Sequence, residues 1–138
     1  MLLIVFSFLL VGTQAAFDDQ CNLGTISQFG MEPNQTTELE IPQNCTSGVV
    51  DWSYPMGYLH LVLSLSGQSY SLCIVKSWAT YITEVKDVTD GRNQVLDLPT
   101  EKSPSCAVAS NGVTELQLKA PSHLMYMNGF DYKVVPRV

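Results

Sequence analysis

The amino-acid sequence predicts an all-β domain built from two packed antiparallel sheets. Three observations carry that expectation. Apolar and polar residues alternate in segment after segment, helical periodicity is missing, and Gly, Pro and Asn turn signals punctuate the alternating stretches.

In chain order, two short candidates come first, TTELEI from Thr36 and GVVDW from Gly48. The clearest strand is Tyr58 to Leu65, where Leu59, Leu61, Leu63 and Leu65 share one face and Tyr58, His60, Val62 and Ser64 the other. One buried face and one wet face give this pattern, so the leucines belong to the core. After a turn at Ser66-Gly67 come SYSLCIVK from Ser69, ATYITEV from Ala79, NQVLDL from Asn93, VTELQLK from Val113 and GFDYKVV from Gly129. The dipeptides Asp90-Gly91, Asn111-Gly112 and Asn128-Gly129 read as turns between them. The total is about eight to ten short strands, which fits a single sandwich over residues 16–138.

Composition narrows the function. Seven Lys and Arg against thirteen Asp and Glu leave a net charge of −6, which opposes attraction to a phosphate backbone and excludes nucleic acid as the expected partner. All of these charges lie after residue 16. The uncharged start, LLIVFSFLLVG over residues 2–12, has the length of a signal-peptide apolar core and is short of the roughly 20 residues of a membrane span. Thr13 and Ala15 satisfy the small-residue rule before a cleavage site, so residues 1–15 are expected to be a signal peptide and the mature chain to begin at Ala16. No later apolar run reaches membrane length, and FDYKVVPRV lacks a lipid-anchor signal, so the expected product is secreted, extracellular and without a transmembrane segment.

In an oxidising compartment, four cysteines, Cys21, Cys45, Cys73 and Cys106, read most simply as two disulfides. A zinc site is the rival, but no Cys-x-x-Cys pair and no His at ligand spacing accompany them. Three pairings are open to four cysteines. Asn34-Gln-Thr36 and Asn44-Cys-Thr46 are glycosylation sequons, as a secreted chain would carry.

The stretch from Cys45 through Gly48-Val49-Val50-Asp51-Trp52, Tyr54-Pro55, Gly57 and the strand YLHLVLS, followed by Cys73-Ile74-Val75, resembles the N-terminal CUB-type domain of the meteorin family of secreted factors. The ending Gly129-Phe130-Asp131-Tyr132 resembles the Gly-Phe and Tyr ending of CUB domains. The resemblance implies a CUB-like jelly-roll β-sandwich, disulfides Cys21–Cys45 and Cys73–Cys106, and Trp52 in the core. It departs at two points. Meteorins continue into a cysteine-rich second domain, whereas this sequence ends at Val138. Where calcium-binding CUB domains place a ligand Asp after the third cysteine, this chain has Ile74, Val75 and Lys76, and a second ligand position corresponds to Ser122 or His123. A fixed positive charge opposes Ca²⁺, so no metal and no cofactor are expected.

Catalytic chemistry has little to stand on. His60 and His123 are the two imidazoles, and neither a Gly-x-Ser-x-Gly elbow nor a His-Glu-x-x-His motif is present. The acid pairs Glu38 with Glu40 and Asp87 with Asp90 read as solvated faces, and His60 as a strand histidine. Aromatic and methionine residues near turns are more informative. Trp78, and Leu124, Met125, Tyr126 and Met127, are the large apolar residues least easily buried; Met-rich aromatic loops suit adaptable recognition, and the alternative is that two of the four from Leu124 to Met127 plug the end of the sandwich. The expected function is that of a non-enzymatic binding module, a small extracellular ligand or an accessory subunit of a receptor or matrix complex whose partner is an extracellular or cell-surface protein. The alternative is a carbohydrate- or pathogen-surface-binding defence protein.

Overall fold

The computed structural model describes residues 19–26, 35–53, 55, 57–77, 80–121 and 128–138. Within them run ten strands: β1 (Leu23–Ile26), β2 (Thr36–Glu40), β3 (Ser47–Ser53), β4 (Tyr58–Ser64), β5 (Tyr70–Val75), β6 (Glu84–Asp87), β7 (Gln94–Leu96), β8 (Ser105–Val108), β9 (Val113–Lys119) and β10 (Gly129–Pro136). They form two five-stranded sheets, ordered β1-β3-β10-β5-β8 and β2-β4-β9-β6-β7. The chain is all β with two disulfides, Cys21–Cys45 and Cys73–Cys106, which is the pairing the meteorin resemblance implies. No helix among the described residues is long and apolar enough to cross a membrane.

The sheets are mixed, which corrects the expectation of purely antiparallel ones. β1 lies parallel to β3 and β2 parallel to β4, each as the first strand of its sheet, while the remaining pairs are antiparallel. Alternation predicts the strand TTELEI, but it reports which face is buried and carries no information about direction. The strand expected from Ala79 forms only at Glu84–Asp87. β1 and β8 were not expected: Gly24 breaks the apolar pattern of one, and SCAV is too short and mild to signal the other.

The core lies between the sheets. Leu59, Leu61 and Leu63 of β4, Leu116 and Leu118 of β9 and Val85 of β6 meet Val50 and Trp52 of β3, Leu72 and Ile74 of β5 and Phe130 and Tyr132 of β10, all fully buried or nearly so. At about 1.5–3 kcal/mol for each fully buried large apolar side chain, this layer is the main stabilising term.

Except for the β6–β7 hairpin, consecutive strands lie in different sheets, and the strand ends gather at the two ends of the sandwich. The register sets the starts of β4, β6, β8 and β10 beside the last residues of β3, β5 and β9. There β3, β5, β7 and β9 end and β4, β6, β8 and β10 begin, and it is called the proximal end below. The distal end carries 41–46, 65–69, 88–93 and 109–112.

Candidate functional site

Of the residues singled out for binding, Trp78, Leu124, Met125, Tyr126 and Met127 lie outside the described residues, as do Asn34 and His123. What the structure describes is the framework on either side of them. Ser77, just before Trp78, and Thr80, soon after it, are joined to the first residue of β10. Thr80 Oγ1 donates to the Gly129 carbonyl at 2.7 Å, and Ser77 Oγ donates to the same oxygen at 3.3 Å. The Ser77 amide in turn donates to Thr80 Oγ1 at 2.8 Å. Asn128, which follows Met127, is buried; its Oδ1 accepts the Tyr81 amide at 2.8 Å and its carbonyl accepts the Trp52 amide at 2.7 Å.

These contacts explain why the strand expected from Ala79 starts late. The side-chain oxygens of Thr80 and Asn128 take the backbone donors of Ser77 and Tyr81, offering an alternative to the sheet ladder. Backbone pairing with β9 resumes where the Thr83 amide donates to the Lys119 carbonyl at 2.8 Å. Asn128-Gly129, expected to be a turn, is instead a buried polar junction and the start of a central strand. Sequence reasoning therefore missed Ser77, Thr80 and Asn128; the Ser-x-x-Thr spacing was the available signal, since a hydroxyl three residues on can reach back to a backbone amide.

The polar cluster at the distal end is also different from its expected form. Asp87 is buried and paired, with Arg92 Nη1 at 3.2 Å from Oδ2 and the Thr89 amide donating to Oδ1 at 3.0 Å, so the reading of Asp87 and Asp90 as an acid-rich solvated turn is corrected for Asp87. Arg92 Nη1 also donates to the Val108 carbonyl at 2.7 Å, tying β8 to the other sheet, and Asp90 Oδ2 accepts Ser110 Oγ at 3.1 Å. Among the described residues, no group of three or more His, Cys, Asp or Glu gathers at metal-binding distance. His60 faces outward from β4, half-buried, between Glu38 and Gln117 on the neighbouring strands. Tyr58 lies beside it on that face with Lys119 Nζ 5.7 Å from its ring centroid. Asn44 sits in an exposed turn at the distal end.

Tyr70 closes the same end. Its hydroxyl donates to the Leu63 carbonyl at 2.8 Å or the Gly112 carbonyl at 2.9 Å. Burial raises the phenol's pKa above its usual value.

Neither a protein-family model nor a curated protein matches the chain. Among solved structures, the CUB1-EGF-CUB2 domains of rat MASP-1 are similar, with a TM-score of 0.42 and 17% identity over 75% of this chain. The match spans 43% of that structure, less than half its length.

Proposed function

We propose that the mature chain is a secreted, non-enzymatic binding module of the meteorin CUB type that recognises an extracellular or cell-surface protein through its proximal end. The observation that carries this reading is the junction of Ser77, Thr80, Asn128 and Gly129. It ties together the two connections in which Trp78 and Leu124 to Met127 fall, so two groups of large apolar residues far apart in sequence leave the described framework from neighbouring points. A rigid sandwich presenting variable connections at one end is a common arrangement for recognition, and a few aromatic or methionine anchors can supply most of an interface's free energy. The ordered motifs from Cys45 to Val75 support the meteorin assignment, and the apolar start supports secretion.

Alanine substitution of Trp78, Met125 and Tyr126, one at a time, tests the proposal without knowledge of the partner. Secreted yield and melting temperature should stay near the parent values, while capture of a surface protein by the glycosylated mature chain falls at least tenfold. If all three variants are poorly secreted and melt early, the residues are packing elements and the proposal fails. A glycan array read with the same variants separates sugar recognition: loss of a specific glycan signal would replace the protein partner by an oligosaccharide.

A further inference from the structure

The two disulfides occupy opposite environments. Cys21 and Cys45 are both buried and belong to the hydrophobic core, so neither partner of that bridge is an exposed residue. Cys73 and Cys106 are directly opposed residues of the antiparallel neighbours β5 and β8, and their side chains lie on the outer face of the sheet. The neighbours along both strands confirm that orientation: Leu72, Ile74 and Ala107 point into the core, while Val108 is exposed.

Access within this second bridge is also unequal. Cys73 is 4% exposed, on a strand flanked by β10, where Lys133 pairs with it. Cys106 is exposed, and β8 is the last strand of its sheet. Thiol–disulfide exchange proceeds by attack of a thiolate on one sulfur with departure of the other, and its rate depends on which sulfur can be reached. A bond from β5 to β8 is approached from behind Cys106 through solvent beyond the sheet edge, but from behind Cys73 only across β10.

We propose that Cys73–Cys106 is a thiol-exchange site for an external dithiol, attacked at Cys106, while Cys21–Cys45 is structural. One thiolate of the dithiol bonds to Cys106 Sγ, the Sγ–Sγ bond breaks, and its electron pair leaves on Cys73, which takes up a proton. The second thiol then attacks the mixed disulfide and releases Cys106. The dithiol is oxidised to its disulfide, and its two electrons and two protons reduce the bridge. β8 keeps its backbone pairing with β5 from Ser71 to Ile74, so exchange does not require the sandwich to open. A partner presenting a single reactive thiol would stop at the first step, covalently joined at the sheet edge.

The test uses the oxidised full mature chain under native conditions, treated with dithiothreitol for graded times, quenched with an alkylating agent and mapped by peptide mass. Cys73 and Cys106 should be alkylated at least tenfold faster than Cys21 and Cys45, with the far-ultraviolet spectrum unchanged. A parallel reaction with the monothiol glutathione should leave the glutathione on Cys106 and the alkyl group on Cys73. Reduction of all four cysteines together, earlier reduction of Cys21–Cys45, or glutathione on Cys73 would each overturn the proposal. The double variant Cys73→Ala, Cys106→Ala should remain folded and take up no glutathione; uptake by that variant would place the exchange at the other bridge and equally refute it.

Discussion

The two ends of the sandwich are closed by different means. At the distal end the closures are short and largely enclosed: the Cys21–Cys45 bridge, the Tyr70 hydroxyl beneath two carbonyls, the Asp87–Arg92 pair and the two-residue Asn111-Gly112 turn between Ser110 and Val113. At the proximal end the described connections are held by hydroxyl and amide side chains, Ser77, Thr80 and Asn128, reaching across to backbone groups. Side-chain hydrogen bonds of this kind contribute about 1 kcal/mol each, whereas a bridge closing a short loop contributes about 2–4 kcal/mol. The distal end can therefore carry the stability of the fold, leaving the proximal connections free to vary in sequence.

Three substitutions sharpen that contrast. The largest effect is expected at Gly112, whose backbone is left-handed at φ 79° and where a Cβ would collide with the Leu65 carbonyl oxygen. Gly112→Ala should lower stability by roughly 3 kcal/mol, read as a shift in the denaturation midpoint. Next comes Tyr70→Phe, which strips the donor from beneath Leu63 and Gly112 and should cost about 1–2 kcal/mol. Because burial raises the folded pKa of Tyr70 above its usual 10.0, the stability held by the protonated phenol is complete below pH 10.0 and is lost as pH rises through the folded value. Alkaline denaturation curves should consequently fall more steeply above that pH for the parent than for Tyr70→Phe. The smallest effect is expected at the proximal end, where Thr80→Val removes the bonds to Gly129 and Ser77 at nearly constant shape and should cost about 1 kcal/mol or less. A Thr80→Val loss larger than that of Gly112→Ala would reverse the assignment of roles to the two ends.

The same contrast governs what could be read from the sequence. β4 and β9 were legible because each alternates over seven residues with one face in the core, and β10 because it alternates from Phe130 to Val135. The leucine face of β4 and the burial of Trp52 follow from that pattern and the resemblance. The parallel placement of β1 and β2 was not legible, since it depends on long connections whose direction leaves no mark on side-chain periodicity. The proximal junction was hidden for a related reason. Thr80, Tyr81 and Ile82 have strand-like composition, and only the Asn128 and Gly129 groups, nearly fifty residues away, divert them from the ladder. Asp87 looked solvated because its partner Arg92 and the covering Thr89 are brought back onto it only by the left-handed backbone of Asp90 and Gly91 in the β6–β7 connection.

β10, the final strand, stands in the middle of its sheet, between β3 and β5. Without the residues from Gly129 onward, the two ribbons of that sheet, β1 with β3 and β5 with β8, lack the strand that joins them. Each ribbon then has an unpaired inner edge open to other chains, the exposure that promotes misassembly of nascent β proteins. Both bridges lie wholly before β10, one associated with each ribbon, so neither needs that strand in order to form. The cysteines thereby cross-link each side of the sheet independently of the strand that stands between them.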